Sequence, residues 1–338
     1  MSGRITSSEV AKRAGVSQSA VSRVFTPGAS ASAKTVEKVR RIADEMGYRP
    51  NFIARAMVSG KSRNIGLVVA YLENQVYPEA LEKLSNALQE KGYHVLIFMA
   101  GKDNASIEHV IEEILDYQVD GIVTASVAMS STLANRCRAA GIPMVLFNRS
   151  QDDTGMSAVT SDNHAGGQKI AQHLLATGHQ RIGYIAGWEG ASTQRDREAG
   201  FRAGLNAAGV ALHAREIGNF TMNGATEAAR RMFAHSPPDA VFVANDHMAL
   251  AVMDTLRFEL GLTIPDDVSV IGYDDVPAAA WPAYNLSTVR QPANRMVAET
   301  VAILMAQIEN KTEAPRRVEI NGPLVLRRSV RRVRRSET

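Results

Sequence analysis

At 338 residues the chain is too long for one ordinary core and reads as two or three domains. Its 45% hydrophobic and 22% charged residues exclude a disordered chain, and its longest apolar runs, such as 65–72 and 95–100, fall well short of the ~18 residues a membrane helix needs. The formal charge of +3 is unevenly spread: residues 1–63 hold twelve Lys/Arg against Glu9, Glu37, Asp44 and Glu45, a net +8, residues 327–338 carry a net +5, and the middle is left with −10. A basic head on an acidic body suits a polyanion-binding module joined to a separate domain, although a solvated charged face gives the same count. A single cysteine, Cys137, excludes an intrachain disulfide and fits a reducing cytoplasm. The first residues run into an amphipathic segment, so no secretion signal is expected.

Three short helices are expected in the head. Thr6-Ser7-Ser8-Glu9 has capping-box spacing, and Val10, Ala11 and Ala14 mark the helix that follows, stopped by Gly15. Ser17 is a second N-cap, and 18–25 forms the next helix with Val21 and Val24 inward, closed by Pro27-Gly28. Two helices across a tight glycine turn make a helix-turn-helix, whose second member can present its first-turn side chains to base edges in the major groove. A third helix runs from about Ala33 to Met46 with Val36, Val39, Ile42, Ala43 and Met46 as its packing stripe, and Gly47 ends it.

From Ile65 onward, apolar strands alternate with helices. Strands are expected at 65–70, 95–100, 121–125 and 143–147, with helices near 78–92, 106–117 and 130–140 between them. The pattern then restarts: helix 163–177, strand 182–186, helix 193–208, strand 214–217, helix 223–235, strand 240–244, helix 246–260 and strand 268–272. Strands apolar on both faces, each followed by a helix, imply parallel sheets covered by helices, and two successive halves imply two subdomains with a cleft between them. No phosphate-binding glycine loop, nucleophile elbow or His/Cys ligand spacing is present, and Asp274 and Asp275, adjacent on an extended chain, point in opposite directions. Neither an enzyme, a cofactor nor a metal is expected.

The strings VAKRAGVSQSAVSRV (10–24) and GYRPNFIARAM (47–57) closely resemble the headpiece of the bacterial lactose-repressor/galactose-repressor family. DNHAGG (162–167), HLLATGH (173–179), REAGF (197–201), ANDHMA (244–249), GYDD (272–275) and LSTVRQP (286–292) resemble its effector domain, of the type I periplasmic-binding-protein fold. The resemblance spans roughly 4–328. It implies an α/β protein with an all-α helix-turn-helix headpiece over 1–60 and a two-subdomain parallel α/β core over 64–326. The first subdomain would take 64–161 plus 292–326, the second 162–291, and 327–338 would be a basic tail.

It further implies that Gln18 and Ser19 choose the operator sequence and that Arg23 reads a base. Gln suits adenine and Arg guanine. Thr6, Ser17, Ser22, Lys34, Thr35, Asn51 and Arg55 would serve the headpiece and the DNA backbone. Residues 51–59 would form a hinge helix with Met57 as its minor-groove wedge, where relatives carry leucine, or as an ordinary packing residue. Effector contacts are implied at Asn74, Tyr77, Asn148 (where many relatives have Asp), Arg197, Asn245 or its neighbour Asp246, and Asp274. Asp162 reads equally as a helix N-cap, and Phe220 and Trp281 equally as core or rim. The partners implied are double-stranded DNA with a pseudo-palindromic operator, a sugar or sugar-acid effector, and a second copy of the chain, in the cytoplasm with no membrane. A dimer is expected because no leucine heptad closes the sequence. The Arg-rich tail reads as a solvated end, or as extra phosphate affinity.

Overall fold

The computed structural model describes residues 5–26, 29–49, 61–101, 104–125, 131–151, 155–310 and 314–332. The chain divides into two compact units, Met1–Ser62 and Arg63–Thr338. Asn51, Arg55, Met57, the 51–59 hinge segment and Pro27-Gly28 lie outside the described residues.

In the first unit, α1 (Ser7–Ala14), α2 (Gln18–Val24) and α3 (Ala33–Met46) enclose one small core of Val10, Ala11, Ala14, Val21, Val24, Val39, Ile42 and Ala43. Each helix start is held by a hydroxyl: Thr6 accepts from the Glu9 N–H, Ser17 from Ala20, and Ser32 from Thr35. Glu9 returns the bond to the Thr6 N–H at 2.7 Å, which completes the capping box. Gly15 and Gly47 end α1 and α3 in the left-handed conformation that glycine adopts without a Cβ clash.

The second unit opens with β1 (Asn64–Val69), α4 (Val76–Glu90), β2 (His94–Met99), α5 (Asn104–Asp116), β3 (Gly121–Ala125), α6 (Ser131–Ala139), β4 (Met144–Phe147) and β5 (Ser157–Ser161). It continues through α7 (Asn163–Ala176), β6 (Ile182–Ala186), α8 (Ser192–Ala207), β7 (Ala214–Ile217), α9 (Met222–Phe233), β8 (Ala240–Val243) and α10 (Asp246–Asp254), then β9 (Ser269–Asp274) and β10 (Ser287–Arg290). Helix α11 (Ala293–Glu309) and strands β11 (Arg317–Ile320) and β12 (Leu324–Val325) complete it. The expected single helix over 246–260 is instead α10 followed by a turn of π-helix at Thr255–Glu259.

Among the described residues the strands form two six-stranded sheets, ordered β11-β5-β4-β3-β1-β2 and β12-β10-β9-β8-β6-β7. All pairings are parallel except that of β12 with β10. Strands β3, β4, β6, β8 and β9 are buried along their whole length, as strands covered by helices on both faces must be. The second sheet centres on Tyr184, Phe201 and Phe242, whose ring centroids lie 5.0–5.8 Å apart.

The chain passes between the halves three times: from β5 to α7, from β10 to α11, and from β11 to β12. These connectors lie side by side. The Asp162 N–H donates to the Ile320 carbonyl at 3.0 Å, and a Cβ on Gly322 would stand 2.0 Å from the Arg290 carbonyl oxygen.

The second half therefore takes more of the C-terminal segment than expected. Strand β12 belongs to the second sheet, not to the first subdomain. Residues 327–332 are not a solvated tail. Ser329 and Val330 are buried, Ser329 Oγ donates to the Val270 carbonyl at 2.6 Å, and Arg327 binds the Asp275 carboxylate at 2.6 Å. A local carboxylate and a buried serine hold a run whose composition alone suggests a free end.

Candidate functional site

On α2 the inner positions Val21 and Val24 are buried, which leaves Gln18, Ser19, Ser22 and Arg23 exposed together, since i and i+4 share a helix face. Two polar ends of that face are already engaged. Gln18 Nε2 donates to Ser7 Oγ at 3.0 Å, and the Ser19 and Ser17 hydroxyls lie 2.9 Å apart. Arg23 has no hydrogen-bond or carboxylate partner among the described residues. Lys34 is exposed in the first turn of α3, and Thr35 is half-buried with its hydroxyl 2.8 Å from that of Ser32. Thr6 acts within the fold as the cap of α1.

In the second unit, Asn74, Tyr77, Asn148, Arg197, Phe220, Asn245 and Asp274 converge on one cleft between the sheets. Asn74 and Tyr77 flank the start of α4, Asn148 follows β4, and Arg197 projects from α8. Phe220 precedes α9, Asn245 caps α10, and Asp274 ends β9. Loops at the carboxyl ends of parallel strands are where such sheets hold ligands.

The centre is a buried ion pair. Arg197 Nη2 donates to Asp274 Oδ1 at 3.1 Å, Nη1 to the Ala244 carbonyl at 2.6 Å and Nε to Asn163 Oδ1 at 2.9 Å, and its guanidinium lies 3.7 Å from the Tyr273 ring centroid. Asp274 accepts in addition from Gln291 at 2.7 Å and from Asn74 at 3.3 Å, the latter bond spanning the cleft. A second bond between the halves runs from the Ser150 N–H to Ser192 Oγ at 3.0 Å. So drawn together, the lining leaves about 10 Å³, the room of about one water. The halves as they stand leave no room for a ligand of sugar size. Larger hollows are present among the described residues, including one of about 550 Å³ beside Trp188, Ile217 and Arg231 and one of about 330 Å³ that shares Asp274 with the cleft and is lined by Asp275 and Gln291.

The backbone marks the same place. Eight non-glycine residues among those described have positive φ, and Asn148 (69°), Phe220 (59°) and Asp274 (125°) all line the cleft. Such conformations cost on the order of 1–3 kcal/mol each and concentrate at functional sites.

Three expected effector residues do not join it. Asp162 caps α7, accepting from the Ala165 N–H at 2.9 Å. Asp246 is fully buried and turned to Thr288 Oγ1 at 2.7 Å and the Val276 N–H at 3.0 Å, so its neighbour Asn245 is the one at the cleft. Trp281 is 53% exposed and stands outside the lining, because the 3-10 turn Pro277–Ala280 carries it away. Conversely, Tyr71, Arg149 and Thr193 line the cleft unforeseen. Asp275 turns away to Arg290 and Arg327, both at 2.6 Å. Among the described residues no His/Cys/Asp/Glu group has the arrangement of a metal site, and no helix is long and apolar enough to cross a membrane.

Buried and capping carboxyls are shifted in opposite senses. Burial, and then the nearby Asp274 charge, raise the Asp246 carboxyl above its ordinary 3.8. Burial also raises Asp274, against the pull of Arg197. A carboxyl raised on folding contributes fully below its unfolded value and loses that contribution as pH rises through the folded value. The stability of the parent minus that of Asp246→Asn should therefore fall as pH rises from 4 upward, in urea titrations followed by tryptophan emission. Both tryptophans, Trp188 and Trp281, lie in the second unit. Glu9 is lowered from 4.5, first by the Thr6 N–H and then by its hydroxyl, so its contribution to the first unit is present above 4.5 and lost as pH falls. A flat or rising Asp246 difference would mean that water reaches this carboxyl.

Comparison with known proteins agrees with this division. Residues 6–51 match the bacterial regulatory proteins of the lacI family, and residues 171–330 match the periplasmic binding protein-like domain. The HTH-type transcriptional repressor PurR of Photobacterium profundum is 28% identical over 96% of this chain and 98% of its own length. A CelR regulator solved as a cellobiose complex is 31% identical, with a TM-score of 0.73 over 96% of this chain and all of that one. The lac repressor dimer bound to operator and the anti-inducer ONPF is 26% identical, with a TM-score of 0.88 over 97% and 99%. With a three-helix head that exposes a polar face of α2, a second unit built around a polar cleft, and relatives matched over nearly their full length, the chain belongs to the lacI family of bacterial regulatory proteins and is a DNA-binding transcriptional regulator, not an enzyme.

Proposed function

We propose that the protein is a cytoplasmic homodimeric repressor of a pseudo-palindromic operator, released by a sugar or sugar derivative bound between the two sheets. The observation that carries the reading is the cleft, where eight polar and aromatic residues from widely separated parts of the chain meet around the Arg197–Asp274 pair. An effector shifts operator affinity only through its different affinity for the open and closed arrangements of the halves. The Asn74–Asp274 and Ser150–Ser192 bonds belong to the closed one, so a ligand that separates them selects another angle. The link between that angle and operator affinity is assigned to residues 51–59, which lie outside the described residues, with Met57 proposed as the minor-groove wedge. The cellobiose complex of the CelR relative supports a sugar class. A thermal-shift screen with sugars, sugar derivatives and nucleobases tests it: a ligand at 100 times its Kd adds about 2.7 kcal/mol, and a hit must also change operator affinity. Stabilisation by nucleobases with tighter operator binding would replace release by corepression.

The head is tested separately. Exchanging Gln18 and Ser19 for another pair should change the preferred operator, and Arg23→Ala should cost about 1–3 kcal/mol per half-site. Identical selected sites for parent and exchange would remove this face of α2 from base reading.

A further inference from the structure

A separate hollow, of about 300 Å³, opens at the amino ends of β4 and β5, the far end of these strands from the cleft. Ile142 and Met144 border it where β4 begins, whereas Asn148 lines the cleft where β4 has ended. Helices α6 and α11 and the segment before β11 close its other sides. Protein interiors leave few voids larger than a water, and a space of this size matches a small-molecule site.

Its lining has hydrogen bonds to spare. Gln307, on α11, is 9% exposed; its Nε2 donates to Ser157 Oγ at 2.8 Å, and its Oε1 is buried with no partner among the described residues. Ser157 is 1% exposed, and its Oγ accepts a second time, from the Arg316 N–H at 3.1 Å, which leaves the hydroxyl proton without an acceptor among the described residues. Gln307 thus lacks a donor and Ser157 lacks an acceptor, and both line the one hollow. Buried polar groups are nearly always satisfied, so the pair points to a ligand that supplies what is missing. One hydroxyl meets both needs, because it donates and accepts. It meets them equally with the amide turned over, when Ser157 donates to Oε1 and the ligand accepts from Nε2.

The mouth and walls set the rest of the ligand. Arg138, exposed on α6, donates to Asn135 Oδ1 and to the Gly155 carbonyl, both at 3.0 Å, and pairs with no carboxylate among the described residues. It is the one charge in the lining. Ile142, Met144, Met156 and Pro315 make the walls apolar, together with the Cys137 thiol. Three sulfur atoms suit the faces and edges of an aromatic ring. Burial pushes the Cys137 thiol up to about 11, so it stays neutral and the hollow holds its ligand without covalent attack.

We propose that this hollow is a second ligand site, distinct from the cleft, and that it takes a small aromatic hydroxy acid. The carboxylate lies at Arg138, whose fork of donors fits it. The ring lies among Met144, Met156 and Cys137, and the hydroxyl bonds Gln307 and Ser157. The assignment does not depend on the effector reading of the cleft.

The test uses the full chain with para-hydroxybenzoate, para-hydroxycinnamate and para-hydroxyphenylpropionate. Each is compared with the same acid lacking the ring hydroxyl and with its carboxamide. Affinity is read by calorimetric titration and checked by thermal shift. The expected result is that at least one hydroxy acid binds, and that loss of either group weakens it about tenfold or more. Arg138→Gln removes the advantage of the acid over its amide, and Arg138→Lys, which keeps the charge but not the fork, retains part of it. Gln307→Leu removes the advantage of the hydroxyl. Arg138 is exposed, so its variants report even where the buried Gln307→Leu fails to fold. An acid that binds Arg138→Gln as tightly as the parent, or binds as tightly without its hydroxyl, overturns the proposal. No binding by any acid also overturns it, and leaves Gln307 to water.

Discussion

Arg197→Met is expected to destabilise the second unit by about 3–5 kcal/mol, because it strands a buried carboxylate. Asp274 sits among neutral donors apart from Arg197, and the two side chains are 2% and 3% exposed, so solvent cannot take over for the lost partner. The loss also leaves Asn163 Oδ1 and the Ala244 carbonyl without their donor. Against a total stability of about 5–15 kcal/mol this is a large fraction. Asp274→Leu should cost a similar amount, and the double variant less than the two together, because removing both charges leaves neither stranded. Urea denaturation followed by tryptophan emission reports on this unit alone. A cost below about 1 kcal/mol for Arg197→Met would show that water screens the pair. The consequence for function is practical. Loss of effector response in either variant has meaning only beside its folded fraction, since the pair both builds the cleft and lines it.

Gly200→Ala should be the other severe substitution, despite alanine's better helix propensity. Helices α7 and α8 pack face to face through Gly167, Gly200 and Gly204. A Cβ on Gly200 would stand 1.9 Å from the His164 carbonyl oxygen, and one on Gly167 would stand 2.2 Å from that of Arg197. Both obstacles are backbone, so neither can swing aside. The propensity gain is about 1 kcal/mol, whereas overpacking costs about 1–3 kcal/mol and more where backbone must move. Separating these helices also pulls Arg197 from Asn163, which lie on opposite members of the pair. Effector affinity should therefore fall along with the melting temperature. Gly66→Ala is the control. Its Cβ would meet only side-chain carbons, the nearest at 3.5 Å, and should cost little. Equal effects at Gly66 and Gly200 would refute the close-approach argument.

The parts legible in sequence are those governed by local rules. Thr6, Ser17, Gly15 and Gly47 each announce a helix boundary through their own chemistry, and all four stand where expected. Strand β5, Ser-Ala-Val-Thr-Ser, escapes the apolar pattern because its burial comes from neighbours on both sides rather than from its own hydrophobicity. The C-terminal segment misleads for the converse reason: six arginines suggest water, but Val330 and Ser329 pack inward, and Asp275 is reached only through the fold. In the cleft, Arg197 and Asp274 are 77 residues apart and are named through family resemblance rather than periodicity. Arg149 and Thr193 have no such support. Nothing in the string around them states that β4 and α8 face one another. Asn245 and Asp246 are alternatives in the sequence, and the fold separates them, since Asp246 is bonded to Thr288 and Val276 while Asn245 lines the cleft.

The three connectors running side by side between the halves set what kind of message this protein can carry. Three adjacent strips, tied at Asp162–Ile320 and packed at Gly322 on Arg290, have the layout of a leaf hinge, a geometry that resists twist and shear more than bending. On the proposed reading, whatever chemistry enters the cleft would be compressed into a single scalar, the opening angle. Ligands then differ only in where along that scale they halt the motion. Agonists and antagonists need no separate seats, and a ligand of a new shape inherits a working readout as soon as it fits.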